Sequence, residues 1–276
     1  MSGAAERQQP ASHGSSAHQV EWVRERLSAR DWAILTDLDH LRMLSADQLE
    51  RLHFTSLSGR SREVVRGRVL RRLVVWRVVS PLGRRIGGTK RGSSPTMYTL
   101  DVTGQHLMRE RHAAALPTSR VRRPRPPGER FLAHTLAVSE LYTSLVSHTA
   151  QAGITLAAFD AEPAAWWPDG RGWLKPDAYL RLSAPQFDDH WWVEVDRATE
   201  SLPTLRRKLN AYLDFYQRGQ LGPNGVMPRV LISTVTERRR DALRDLVEHL
   251  PEPADALFTV ALDRDSWLML LGSLKE

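Results

Sequence analysis

The chain has 276 residues, 41% of them hydrophobic, no cysteine and a net charge of +7. That length suits two domains better than one, and the missing thiols exclude disulfides, thiolate zinc sites and a cysteine nucleophile. No stretch approaches the roughly 18 uninterrupted apolar residues of a spanning helix, and the first residues lack the apolar core of a secretory signal, so a cytoplasmic protein with no membrane partner is expected.

The charge is unevenly placed. Residues 1–128 carry 23 Lys and Arg against 11 Asp and Glu, a surplus of +12, whereas residues 129–276 carry 16 against 21, a deficit of −5. A one-sided cationic surplus is what phosphate neutralisation demands, because affinity for DNA comes largely from counterion release. All but one of those 23 are arginine, whose planar fork fits phosphates and guanine edges. A merely solvated arginine-rich surface is the alternative.

In chain order, residues 1–20 lack periodicity and read as a disordered tail. Ser28 precedes a helix with Trp32, Leu35, Leu38 and Leu41 at helical spacing, and Ser45 with Gln48 forms a capping box at the start of a second. A third helix runs from about Gly59 to Leu73, with Val65, Val69 and Leu73 as its apolar stripe. Arg60, Arg62, Arg66, Arg68, Arg71 and Arg72 lie on its other faces. "VVWRVVSPL" and "TMYTLD" read as strands flanking a basic loop with Arg84, Arg85, Lys90 and Arg91. Helix, helix, helix, hairpin is the order of a winged helix-turn-helix, here 21–114. Its third helix would enter the major groove of double-stranded DNA while the wing arginines hold backbone or minor groove. Such modules also serve in protein contacts. Residues 115–130 mix prolines with arginines, which excludes a helix and marks a basic linker that could track phosphates.

Residues 131–276 read as a three-layer α/β domain, making the chain α/β (α+β overall). A long helix ends at Gly153 and is followed by a strand, a hairpin of "KPDAYLRL" and "HWWVEVD", and the helix "PTLRRKLNAYLDFYQRG". The apolar strand "PRVLISTV", another helix and a closing strand or two over "ALFTVALDRDSWLMLL" complete it. Period 2 puts Glu194 and Asp196 on one face of their strand, with Asp177 opening its partner. Three converging carboxylates need a balancing cation, either Mg²⁺ or arginine. With Mg²⁺ they would form a metal site in which Asp177, Glu194 and Lys208 are the catalytic set. With no cofactor they would form an acidic sheet edge paired to Arg181, Arg197, Arg206 or Arg207. His134 and Glu140, on the preceding helix, are further candidates with solvated or structural roles as the alternative.

"KPDAYLRL", "WWVEVDRATESLPTLRRKLNAYLDFY" and "MYTLDVTGQHLM" together resemble the replication-relaxation family of plasmid and mobile-element proteins, over roughly Asp31 to Gln217. The resemblance implies association with DNA in replication or control of bacterial mobile elements, and a C-terminal domain similar to the PD-(D/E)xK nucleases. Asp177 then matches the first acid and Glu194 the second, while Asp196 stands where that motif has lysine. Lys208 could replace it, or Asp196 could add a metal ligand, or the domain has become an inactive platform for DNA contact or assembly. Three functions follow: a DNA-binding replication or maintenance factor, a Mg²⁺-dependent endonuclease or nickase, or a transcriptional regulator of a mobile element. A homodimer and contacts with replication or conjugation proteins are compatible with each.

Overall fold

The computed structural model describes residues 17–82, 96–112 and 121–274. The expected tail up to residue 16, the wing loop with Arg84, Arg85, Lys90 and Arg91, and residues 115–120 of the expected linker lie outside the described residues.

The N-terminal region runs α1 (Ala17–Arg24), α2 (Ala29–Leu41), β1 (Leu44–Ser45), α3 (Ala46–His53), α4 (Gly59–Val75), β2 (Val79–Leu82), β3 (Met97–Leu100) and α5 (Val102–Arg111). Residues 17–20 therefore do not belong to a disordered tail. They begin a helix because Val20 and Val23 bury themselves in the core. Capping boxes start α2, at Ser28 with Asp31, and α3, at Ser45 with Gln48. Each satisfies two amide donors that the first helical turn leaves without partners. The strand expected from Val74 is shorter and starts at Val79, since Val74 and Val75 complete α4. Arg77, at φ 56, then reverses the chain. The amides of Arg77 and Val78 donate to Val74 O and Leu73 O, closing the helix as a Schellman turn does. β3 pairs antiparallel with both β1 and β2. Gly104 lets α5 lie against β2, because a Cβ there would stand 2.2 Å from Val78 O.

The C-terminal region continues with α6 (Glu129–Ala152), β4 (Thr155–Ala161), β5 (Trp167–Pro168), β6 (Trp173–Leu174), β7 (Ala178–Ser183), β8 (Asp188–Asp196) and α7 (Leu202–Gln217). It ends with β9 (Arg229–Thr234), α8 (Glu237–Glu248), α9 (Ala254–Leu257), β10 (Phe258–Leu262) and α10 (Ser266–Gly272). Gly153, at φ 69, caps α6 in the left-handed region that glycine occupies without strain. One five-stranded sheet has the order β10-β9-β8-β7-β4. β4, β7 and β8 form an antiparallel meander, while β8, β9 and β10 are parallel. The parallel pairs are joined through α7 and α8, as parallel strands require. One face of the sheet, with Leu180, Trp191, Val193 and Leu231, packs on α6 and α10. The other, with Tyr179, Trp192, Val230 and Ile232, packs on α7 and α8. This is the expected three-layer arrangement, with two differences. The short β5–β6 hairpin was not foreseen, and residues 266–272 form a helix rather than a second closing strand. Leu270 and Leu271, with Leu274 just beyond, turn into the core, and Trp267 stacks on His148 of α6 with ring centroids 3.8 Å apart.

The two regions meet along α6. Ser139 Oγ donates to Met43 O at 2.8 Å, Gln48 Nε2 donates to Leu136 O at 3.2 Å, and the Tyr142 hydroxyl donates to Asp37 at 3.1 Å. Leu132 packs with Met43, Leu82 and Met97. One apolar core thus runs from α2 and α4 through α6 into the large sheet.

Candidate nucleic-acid interface and a buried carboxylate pocket

The arginines of α4 fall into two sets. Its buried seam is Leu70 and Leu73, with Val65 and Val69 half-buried beside it. Around that seam Arg62 and Arg66 turn toward α3. Arg62 Nε donates to Leu57 O at 2.7 Å, and Arg66 pairs with Glu50 at 2.6 Å and with Asp47 at 3.5 Å. Arg72 reaches back to the fully buried Asp31 at the start of α2, at 2.6 Å from each carboxylate oxygen. These three hold the helix in place. Arg60, Arg68 and Arg71 are exposed, and their guanidinium groups bond to no other described residue. At 100° per residue they share one stripe with Val64 and Val75, which are 51% and 72% exposed. The side facing solvent is therefore cationic and apolar at once, the mixture that meets phosphates, guanine edges and thymine methyls.

The acidic constellation lies at the carboxyl end of β8, in a cavity of about 310 Å³ that also touches Arg130, His134, Arg197, Thr199 and Lys208. Asp177 Oδ2 accepts from Val195 N at 2.7 Å, and Asp177 Oδ1 lies 3.2 Å from His134 Nε2. Glu194 is buried and accepts from the Tyr212 hydroxyl at 2.6 Å and from Lys208 Nζ at 3.0 Å. Lys208 and Tyr212 are one turn apart on α7, so a single helix face delivers both donors. Asp196 shares the sheet face of Glu194 but belongs to a different partnership. Arg239, from the first turn of α8, grips it at 2.7 and 3.3 Å, and Thr234 Oγ1 and Ala198 N complete its bonding at 3.1 Å each.

Of the arginines expected to balance this cluster, Arg181 pairs with Asp188 and Arg197 with Asp263. Arg206 and Arg207 are exposed. The partner that sequence reasoning missed is Arg239, and no local pattern announces it. Tyr212 lies in the run "KLNAYLDFY" that carries the family resemblance, but its bond to Glu194 was not readable there. Glu140 stands apart from the pocket, accepting from Gln48 and Arg51 of α3 and from Ser144.

Electrostatics follow from this geometry. Burial, with Asp177 beside it, pushes the Glu194 carboxyl up to about 7 although Lys208 and Tyr212 pull the other way. Burial works against the Lys208 ammonium, but Glu194 and Asp177 outweigh it and hold the lysine charged well above its ordinary range. Burial and the adjacent Glu194 raise the Tyr212 hydroxyl, keeping it a donor. The hydrogen bond to Asp177 raises His134 against the opposing effect of burial. Glu194, Asp177 and, at 3.8 Å, Glu200 thus all act on one ammonium.

The Mg²⁺ site implied by the nuclease resemblance does not fit these donors. Asp196 is bound by Arg239, and the two oxygens of Glu194 already accept from Lys208 and Tyr212. Among the described residues no group of three or more His, Cys, Asp or Glu is disposed to hold a metal ion. No helix among them is long and apolar enough to cross a membrane.

Compared with known proteins, residues 35–230 match the family model described as replication-relaxation. Neither a curated protein nor a solved structure matches the chain.

Proposed function

The chain belongs to the replication-relaxation family, and from that membership together with the free arginine face of α4 we propose that it is a duplex-DNA-binding protein acting in replication or maintenance of mobile DNA. In this reading α2 to β3 form a winged helix-turn-helix and α4 is its recognition helix. The observation that carries it is the division of labour on α4. Arg62, Arg66 and Arg72 are consumed by protein carboxylates and a backbone carbonyl, whereas Arg60, Arg68 and Arg71 share a solvent face. A helix that only needed to pack would have no use for the second set. The α/β region, with its pocket closed by internal pairs, acts as the platform on which the reading module is fixed.

Fluorescence anisotropy of the full chain on random and selected duplexes, between 50 and 200 mM salt, tests the proposal. Binding should weaken steeply with salt. Replacing Arg60, Arg68 and Arg71 with alanine should erase sequence preference, each lost bidentate base contact costing about 1–3 kcal/mol. Replacing Arg62 and Arg66 should chiefly lower thermal stability. Salt-insensitive binding, or preference that survives the first set and dies with the second, would refute it.

An endonuclease reading retains one supporting observation, that Lys208 brings to Glu194 the ammonium which Asp196 cannot supply. Conversion of supercoiled plasmid to open circles by the wild type, absent in Glu194→Gln and Lys208→Met, would favour that reading over a platform.

A further inference from the structure

Between α5 and α6, residues 121–128 ("VRRPRPPG") form neither helix nor strand, yet they are not a slack tether. Gln105 on α5 grips the backbone of Arg122 with both ends of its amide. Its Nε2 donates to Arg122 O at 2.7 Å, and its Oε1 accepts from Arg122 N at 3.0 Å. The other end is fixed by Gly128, the residue on which α6 begins. Between these anchors Pro124, Pro126 and Pro127 set their own φ near −65° and drive the residues before them to extended backbone. The segment is therefore a stiff arm held at both ends.

Arg122, Arg123 and Arg125 are exposed on this arm, and none of their guanidinium groups bonds to another described residue. In a polyproline-like chain, three residues make a turn with a rise of about 3.1 Å each. In that geometry Arg122 and Arg125 would share one edge about 9 Å apart, nearly three base-pair steps at about 3.4 Å, with Arg123 on another. The arm lacks bulky side chains that would keep it out of a narrow groove. An α-helix needs the width of the major groove, but an extended arginine arm fits the minor groove, whose negative potential is strongest in narrow A·T tracts.

Resting on the DNA-binding reading above, we propose that residues 121–128 are a minor-groove arm, with Arg122 and Arg125 inserted into A·T-rich minor groove and Arg123 on the flanking phosphate. The arm adds a second reading element to α4 and gives the protein a preference for A·T sequence that α4 alone would not supply.

The test compares the full-length wild type, an Arg122→Ala/Arg123→Ala/Arg125→Ala variant and a Gln105→Ala variant. Each is titrated by anisotropy onto two duplexes of equal length, one with a central A-tract and one with G·C pairs there, with and without netropsin, a minor-groove ligand. The triple variant should melt as the wild type does, since these side chains hold nothing in the fold. It should lose the A-tract preference by at least tenfold and flatten the log–log salt slope by about 0.9, for the one phosphate contact of Arg123. Netropsin should displace the wild type from the A-tract and leave the triple variant unaffected. Gln105→Ala, which frees one end of the arm, should show an intermediate loss. Equal loss on both duplexes with no netropsin effect would mean phosphate contact alone and overturn the inference. So would a triple variant that binds like the wild type. If the wild type binds neither duplex in a salt-dependent way, the DNA-binding reading itself has failed; if it binds both and only the arm variant is silent, the arm alone is wrong.

Discussion

Arg239→Ala is the sharpest probe of what the acidic cluster does. Asp196 is 1% exposed and Arg239 15%, so the substitution strips a buried carboxylate of its only counter-charge among the described residues. It also removes the bond from Arg239 to Glu200 O, at 2.7 Å. Breaking a buried pair by deleting one partner costs about 3–5 kcal/mol. Thr234 and Ala198 still hydrogen-bond Asp196, which places the expected loss near the lower end, about 3 kcal/mol. For a protein of this size that corresponds to a fall in Tm of roughly 6–12 °C. Asp196→Asn combined with Arg239→Met removes both charges and should recover much of the loss, giving a coupling of about 1–3 kcal/mol in a double-mutant cycle. Calorimetry, with urea midpoints as a second measure, reads both quantities. If Asp196 were instead a metal ligand, removing Arg239 would free it, and millimolar Mg²⁺ would raise the Tm of the Arg239→Ala protein. An unchanged Tm in Arg239→Ala, or that magnesium rescue, would refute the assignment of Asp196 to an internal ion pair.

Asp31→Ala removes both the capping box of α2 and the buried anchor of Arg72. The cap is worth about 1 kcal/mol, and the half-exposed Arg72 adds a screened contribution of similar size, so a Tm lower by about 4–8 °C is expected; a loss below 2 °C would show that neither the cap nor the Arg72–Asp31 pair contributes materially to stability. The pocket should also make stability depend on pH. Glu194 is raised from 4.5 to about 7 and His134 above 6.5, so the folded chain holds these protons more tightly than the unfolded one. Stability from Glu194 is then fully present below pH 4.5 and lost by about pH 7, and that from His134 is present below 6.5 and lost as pH rises through its folded value. Urea midpoints between pH 4.5 and 8 should fall with pH, less steeply in Glu194→Gln up to 7 and in His134→Gln above 6.5; identical slopes in all three proteins would contradict the geometry of the pocket.

What the sequence revealed, and what it concealed, divides by range. Capping at Ser45 and Gln48 and the entry of α7 at Pro203 are settled by neighbours in the chain, and so were readable. The common face of Glu194 and Asp196 follows from strand alternation alone. Their separate fates do not, because Arg239 lies 43 positions beyond Asp196 and arrives only when α8 packs beside α7. Alternation tells which way a side chain points and nothing about what meets it. α1 was missed for a related reason. Its eight residues carry only a short apolar signal, and they become a helix because a core already exists for Val20 and Val23 to enter.

The arginines show the same limit most plainly, and with it the reason the charge surplus is informative. Composition counts Arg62, Arg66 and Arg72 with Arg60, Arg68 and Arg71, yet the first three spend their charge or hydrogen bonding inside the fold while the second three leave theirs to solvent. Helical periodicity could not separate them, since the acids that choose between them, Asp47 and Glu50, sit on α3, and Asp31 sits on α2. Those same acids give α4 its fixed roll about its own axis. With Arg66 and Arg72 tied on two sides, the stripe of Arg60, Arg68 and Arg71 can face only outward, and α3, bound through Gln48 and Arg51 to Glu140 of α6, carries that orientation into the large sheet. A cationic face fixed in direction before any partner arrives avoids the cost of ordering those side chains' helix on binding. On the proposed DNA-binding reading, the paired arginines would thus serve recognition although they would touch no base.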